Sequence, residues 1–288
     1  MFTAKRILFP VDFSDRAKAV SPFILSMAQR YQATVVLLHA IHPIPPLYAG
    51  MNTVYPETYD FAGAQEDFKI RLHEFAIDQL PKVPTEIVVE LGDAASAIVD
   101  AVDKHQIDLI AMPTHGYGPF RRLLLGSVTA KVLHDAKVPV WTAAHAEEQN
   151  HRAHPKPRHI VTAVDFKEES HLALDTAIAL AEDSGATVEM VHVAHEGEIT
   201  PDKPENDMRS LLAEAEKEHP GTMEVQTGLE LDVVDDAGNI AKLVRSVAVR
   251  KRADLVVIGR GIIQSPFGGF RNNAYAIIRE SPCPVLSV

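Results

Sequence analysis

An internal repeat constrains this chain more than any other feature. Near the start stands Arg6-Ile7-Leu8-Phe9-Pro10-Val11-Asp12-Phe13, and 153 residues later His159-Ile160-Val161-Thr162-Ala163-Val164-Asp165-Phe166. The same shift pairs Ala33-Thr34-Val35 with Ala186-Thr187-Val188, and His39 with His192. Asp108-Leu109-Ile110 pairs with Asp254-Leu255-Val256 at a shift of 146, and Val138-Pro139-Val140 with Cys283-Pro284-Val285 at 145. Four blocks in one order make two copies of a single domain, the second shortened by about seven residues in its middle. At 288 residues, each copy is long enough to bury its own core. The polar, proline-bearing residues 147–157 read as a linker, which puts domain 1 at 1–146 and domain 2 at 158–288. His151, His154 and His159 invite a metal reading there, but no cysteine or paired carboxylate completes a site, so a solvated linker is the better account.

Within a copy, short β-branched runs alternate with helical patterns. Residues 7–11, 34–41, 86–91, 109–112 and 138–142 are near-continuous apolar runs, as expected of strands buried on both faces of a parallel sheet. Between them, Ala17, Val20, Ile24, Met27 and Tyr31 share one helical face, as do Phe68, Leu72, Phe75 and Ala76, and Ala95, Ile98 and Val102. Pro22 lies inside the first of these, so that helix is either kinked or begins near Ser21. Strand–helix alternation gives right-handed crossovers. The fold class is therefore α/β: two tandem doubly wound domains, each a five-stranded, mainly parallel sheet flanked by helices.

Composition narrows the partners. One cysteine, Cys283, cannot form an internal disulfide, which suits a reducing compartment, and the cytoplasm is the expectation. No run approaches the roughly 18 apolar residues of a membrane span, and the opening residues carry no signal-peptide core. A net charge of −11 argues against general affinity for nucleic acid or membrane lipid, both of which reward clustered Lys and Arg. It leaves an anionic small ligand open, because a local group of amide donors can outweigh the global field.

In a doubly wound sheet, ligands bind beyond the carboxyl ends of the strands, where the strand order reverses. Two loops should meet there: the one carrying Asp12, after the first strand, and the one starting near Pro113, after the fourth. The second runs Pro113-Thr114-His115-Gly116-Tyr117-Gly118-Pro119-Phe120-Arg121-Arg122 and on through Leu125 to Gly126-Ser127. Glycines let backbone N–H groups turn toward an oxyanion without a Cβ in the way. Gly126-Ser127 opens a helix over 128–134 whose first amides, with the Ser127 hydroxyl, make a ready anion site. Arg121 and Arg122 could add charge to it.

These residues resemble the universal stress protein family, whose motif is a glycine, two residues, a glycine, nine residues, then a glycine and a small hydroxyl residue. Gly116, nine intervening residues, Gly126 and Ser127 fit that spacing, followed by Val128 and Thr129. The resemblance spans both copies. It implies an adenine-nucleotide hydrolase-like fold holding ATP or another adenine nucleotide, with or without Mg²⁺. It further implies that Asp12 recognises the adenine and that Ala40 offers a backbone contact to the base. The motif's first glycine is Pro113 here, which lacks an N–H and puts a ring where a ribose would have space. The second copy departs further. Asp165 and Gly259 remain, but no glycine follows three residues after Gly259, and Arg271-Asn272 stands where Gly126-Ser127 stands in the first. Those residues, with Asn273, could cap a helix or meet an anion; filling a vacated site is the better reading. Gly268-Gly269 reads as a turn.

Other features carry less. His39 and His192, at strand ends, suit hydrogen-bonded core positions as well as ligands. Residues 42–60 could be a lid or an exposed insertion, and 195–207 is its shorter, more acidic counterpart. Asp12 has no base or nucleophile beside it in sequence, so it reads as a hydrogen-bond acceptor, not as a catalytic carboxylate.

Three functions compete. The first is a stress-linked regulatory module that binds adenine nucleotide in its first copy, with the second copy as structural partner. In such proteins the last strands pair, so Val138-Pro139-Val140-Trp141 and Pro284-Val285-Leu286-Ser287 are expected to associate within one chain as a pseudo-dimer, with pairing of two whole chains open. The second is a weak Mg²⁺-dependent ATPase; no Walker Lys-Ser/Thr is present, and Pro10-Val11-Asp12-Phe13 lacks the His-x-Gly-His motif of nucleotidyl transferases. The third is an oligomeric scaffold with both sites closed, favoured by Pro113 and Asn272 and opposed by Gly116, Gly126 and Ser127.

Overall fold

The computed structural model of the chain describes residues 2–42, 61–115, 125–143, 156–195, 203–219, 225–232, 237–260 and 269–288. The first half runs β1 (Arg6–Pro10), α1 (Asp15–Tyr31), β2 (Thr34–Ile41), α2 (Phe61–Gln79), β3 (Thr85–Leu91), α3 (Ala94–Lys104), β4 (Leu109–Pro113), α4 (Ser127–Asp135) and β5 (Val140–Ala143). The second runs β6 (His159–Val164), α5 (Glu168–Ser184), β7 (Thr187–His195), α6 (Lys203–Glu218), β8 (Val225–Asp232), α7 (Ala237–Arg250), β9 (Leu255–Ile258), α8 (Gly269–Glu280) and β10 (Val285–Ser287). The expected α/β class and the five strands per copy are both present. The ten strands join in one sheet, ordered β3-β2-β1-β4-β5-β10-β9-β6-β7-β8. Every pairing within a half is parallel, and the order reverses between β1 and β4 and again between β6 and β9.

The two faces of the sheet bury separate cores. Residues of α1, α2, α5 and α6 pack on one face around Ile7, Phe9, Leu37 and Val257. Residues of α3, α4, α7 and α8 pack on the other around Leu8, Val36, Ile110 and Val256. This is why the strand runs are apolar at successive positions and do not alternate.

The repeated sequence blocks turn out to be repeated devices. The carboxylate of Asp108 accepts from the amides of Lys5 (2.7 Å) and Arg6 (2.8 Å), fixing the start of β1 beside β4. Asp254 does the same for Arg158 (2.8 Å) and His159 (3.1 Å) ahead of β6. His39 donates its Nδ1–H to the Val11 carbonyl at 2.7 Å, and His192 to that of Val164 at 2.9 Å; a carbonyl only accepts, so Nδ1 carries the proton. Both histidines are hydrogen-bonded at strand ends, His192 buried and His39 half-buried.

Several boundaries differ from expectation. Helix α1 begins at Asp15, capped by Ser14 (whose side chain accepts from the Ala17 amide), and runs through Pro22. Just before the proline, the Ser21 hydroxyl donates to the Ala17 carbonyl at 2.9 Å, so the turn keeps a side-chain bond where its ladder is interrupted. β5 begins two residues later than the apolar run, because Pro139 has no N–H for the ladder; its carbonyl still accepts from the Ile110 amide at 3.0 Å. The linker expected at 147–157 and the loop at 42–60 lie almost wholly outside the described residues.

β5 and β10 join the halves as the one antiparallel pairing described, with Val140 opposite Ser287, Trp141 opposite Leu286 and Thr142 opposite Val285. Side chains brace the joint from both faces. Arg260 donates to the carbonyls of Ala136 (2.7 Å) and Val138 (3.0 Å), and the Tyr275 hydroxyl to the Ala130 carbonyl (3.0 Å). On the opposite face Arg30 of α1 pairs with Asp183 of α5, Nε to Oδ2 at 2.8 Å.

Three left-handed backbone positions also recur at the repeat spacing: Phe13 and Phe166 (φ 61° and 58°), Gln32 and Gly185 (51° and 73°), and Gln106 and Arg252 (both 52°). Gln32 and Gly185 end α1 and α5, where the left-handed cap strongly favours glycine. The Gln32→Gly variant should therefore gain about 0.5–1 kcal/mol in urea unfolding, and Gly185→Gln should lose a similar amount. A loss on Gln32→Gly would show that its side chain, not the backbone angle, sets the local energy.

Candidate functional site

The carboxyl ends of β1 and β4 part at the switch in strand order and leave a cleft holding about 850 Å³, counting space open to solvent. Asp12, Ala40, Pro113, Gly126, Ser127, Val128 and Thr129, which lie far apart in sequence, all line it. Gly116, Gly118, Arg121 and Arg122 lie outside the described residues. Ala94 and Ile98 of α3, Met112 and His115 line it as well. Ile98 reads from sequence as a core position only. His115 lies in the quoted loop, but nothing in its spacing gave it a role; it is buried, with Nδ1 2.9 Å from the Thr114 hydroxyl.

Each residue reaches the cleft for a local reason. After β1 ends, the Val11 amide still donates to the Leu38 carbonyl at 2.8 Å. Residues two apart in a strand direct their backbone groups the same way, so Ala40 sends its amide and carbonyl past the end of β1 toward the cleft. The Asp12 Oδ1 accepts from the Ser14 amide (3.0 Å) and hydroxyl (2.6 Å), which seats the cap of α1. Oδ2 makes no hydrogen bond among the described residues. Left-handed Phe13 turns the chain sharply between Asp12 and that cap. Burial holds the His39 imidazole below its usual pKa, and nearby Arg71 adds to the shift. His39 is therefore a neutral wall, stacked on Phe68 with ring centres 4.2 Å apart.

The far wall is the start of α4. Gly126 is its N-cap, with no side-chain cap bond, so the amides that open the helix point outward without a side-chain acceptor. Exposed Ser127 stands at that end. Gly126 is held tightly: its amide donates to the Thr114 carbonyl at 2.9 Å, and a Cβ there would sit 3.0 Å from the same oxygen. The Thr129 hydroxyl donates to the Pro113 carbonyl at 3.2 Å, tying the first turn of α4 to the end of β4. Amides at a helix start, small residues and one acceptor carboxylate suit an anion attached to a hydrogen-bond donor. Among the described residues lining the cleft, Asp12 is the only carboxylate. The one described group of metal-ligand type, Asp175, Glu218 and His219, lies on α5 and at the end of α6, in the other half.

The second half differs at the equivalent place. The Asp165 Oδ1 accepts from the Ser170 hydroxyl at 2.8 Å, and Oδ2 meets the Lys167 ammonium at 3.3 Å. A Cβ on Gly259 would lie 2.8 Å from Glu169, so the start of α5 sits directly on the residue matching Pro113. Helix α8 starts at Gly269, about one turn earlier than α4 does at the repeat spacing, which puts residues 271 and 272 inside the helix and not at its cap. Gly269 thus opens a helix; it is not part of a free turn.

With this geometry in hand, comparison with known proteins is decisive for the family. The model of the universal stress protein family matches residues 3–143 and again 156–288. The chain belongs to the universal stress protein family. A universal stress protein of Thermus aquaticus is 32% identical over 136 residues, 47% of this chain and 96% of that protein. One from Methanocaldococcus jannaschii is 26% identical over 152 residues, 47% of this chain and 92% of its own length. Both match about one half of the present chain. A crystal structure of an Archaeoglobus fulgidus universal stress protein shares the fold over 98% of this chain and 95% of that one, with a TM-score of 0.71 at 19% identity. No helix among the described residues of this universal stress protein is long and apolar enough to cross a membrane.

A cap next to the cleft gives a measurable handle. Asp93 caps α3 through the Ser96 amide (2.9 Å) and hydroxyl (2.8 Å), and Lys131 of α4 reaches it at 3.0 Å. These contacts, the Ser96 amide foremost, lower its carboxyl pKa to about 2. A depressed carboxylate stabilises above its unfolded pKa, about 3.9, and loses that contribution as pH falls toward about 2. Asp93→Ala should cost about 1 kcal/mol in urea unfolding at pH 7, with the gap from the parent closing by about pH 2. A gap independent of pH would assign the effect to packing.

Proposed function

We propose that the first half of this universal stress protein binds ATP or a related adenine nucleotide, and that occupancy of the cleft adjusts how the protein associates with partners. The observation that carries this is the start of α4, without a side-chain cap, facing the same cleft as an Asp12 oxygen that has no hydrogen bond among the described residues. In this reading Asp12 accepts from the adenine amine and the backbone of Ala40 meets the base. Ser127, Val128 and the opening amides of α4 hold phosphate oxygens, Thr129 fixes that turn, and Gly116 completes the loop. The Pro113 ring narrows the ribose side without touching the amides of α4. Mg²⁺, where present, would ride on the phosphates, since Asp12, the one carboxylate among the described lining residues, meets the adenine in this reading. That supports binding over hydrolysis.

The second half is a structural partner in this account: Lys167 meets the Asp165 carboxylate, and Glu169 covers Gly259. Domains at 1–146 and 158–288, joined by 147–157, would form a pseudo-dimer inside one chain through β5 and β10.

Calorimetry with ATP, ADP and AMP tests the reading. Binding should weaken at least about tenfold in Asp12→Ala and be lost in Gly126→Asp, which adds both a clash and a negative charge at the helix start. Asp165→Ala should leave it unchanged. No binding at millimolar nucleotide would overturn the proposal. Steady phosphate release abolished by Ser127→Ala would replace it with an ATPase.

A further inference from the structure

A second cavity lies over the joint between the halves and shares no lining residue with the nucleotide cleft. Its floor is the centre of the sheet, with Trp141 of β5 and Leu286 of β10 side by side. Helices α1 and α5 wall it with Phe23, Met27 and Leu180, and it encloses about 880 Å³, counting space open to solvent. The cavity straddles the axis relating the two copies: Met27 and Leu180, Arg30 and Asp183, Leu109 and Leu255, and Trp141 and Leu286 are equivalent positions in the repeat. Met27 and Tyr31, on the helical face expected to be buried, are only partly covered there.

The chemistry of its occupant follows from the charges in the wall. Arg30 is paired with Asp183 at the far ends of α1 and α5. Asp254 is engaged by the amides of Arg158 and His159. Burial, first of all, pushes the Cys283 thiol up to about 12, so it stays protonated. Each ionic group in the described wall is thus compensated, and a charged guest would lose its hydration without gaining a partner. The remaining surface is mainly apolar and aromatic, and domain junctions are preferred places for small-molecule sites.

The geometry points to a binding site, at the junction of the two halves, for a neutral and largely apolar small molecule with an aromatic or branched body. It is separate from the nucleotide cleft and does not depend on nucleotide binding. Trp141 is the only tryptophan in the chain, so the site carries its own reporter.

The full-length protein would be titrated with neutral N-phenyl-1-naphthylamine, following probe emission and the loss of Trp141 emission by energy transfer. One saturable site per chain is expected, with Trp141 quenched in step. The anionic sulfonate analogue should bind at least about tenfold more weakly, because its charge must be buried uncompensated. Ser26→Phe, which fills the cavity from α1, should weaken the neutral probe by a similar factor, and Ser26→Leu serves should the larger residue impair folding as judged by circular dichroism. Saturating ATP should change nothing. Probe binding without Trp141 quenching, equal affinity for both probes, or indifference to the filling variants would each overturn the proposal. So would a rise in mass with protein concentration that displaces the probe, which would assign this face to a second copy of the chain.

Discussion

The β5–β10 pairing is the constraint on which the rest of the molecule depends. Each half ends on a short apolar strand that, alone, would expose an unpaired edge together with Trp141 or Leu286. Pairing the two strands removes both edges and turns two five-stranded sheets into one. Because the pairing is antiparallel, it relates the halves by an approximate two-fold axis, so equivalent residues meet across it. Tyr275 of α8 donates to the carbonyl of Ala130 in α4, and Arg30 pairs with Asp183, its own equivalent in the other copy. Arg260 adds an unequal contact: its buried guanidinium, its pKa lowered by burial, satisfies carbonyls at the end of α4 and just before β5.

That joint also frees the two halves to differ. With both halves bound into one sheet, the fold places no demand on the contents of either cleft. In the second half Lys167 meets the Asp165 carboxylate, the start of α5 lies on Gly259, and α8 begins at Gly269. In the first half the corresponding features are different. A Cβ at Gly126 would press on the Thr114 carbonyl, α4 has no side-chain cap, and Asp12 keeps one oxygen uncommitted among the described residues.

Much of this was legible in the sequence, because the repeated blocks are the residues that do physical work twice. Asp108 and Asp254 anchor strand starts, His39 and His192 brace strand ends, and the apolar runs mark strands covered on both faces. The gathering of Asp12, Ala40 and residues 126–129 into one cleft follows from the switch in strand order. What stayed hidden depends on partners distant in sequence. Helix α1 passes Pro22 because Ser21 and the surrounding core hold the turn, and neither contribution shows as a periodicity. The link from Lys131 to the cap of α3 spans 38 residues and leaves no pattern. The early start of α8 reflects the loss of the glycine that ends the loop before α4, an effect visible only once both helices are compared.

The central claim is one continuous sheet with two unequal ends, and hydrogen exchange on the intact chain, with and without ATP, tests it most directly. Amides of β5 and β10 should be protected as strongly as those of β1 in either condition. Added ATP should slow exchange only in peptides covering residues 10–14, 38–42 and 113–130. Equal slowing in peptides covering 163–170 and 257–275, or rapid exchange of β10, would contradict the account.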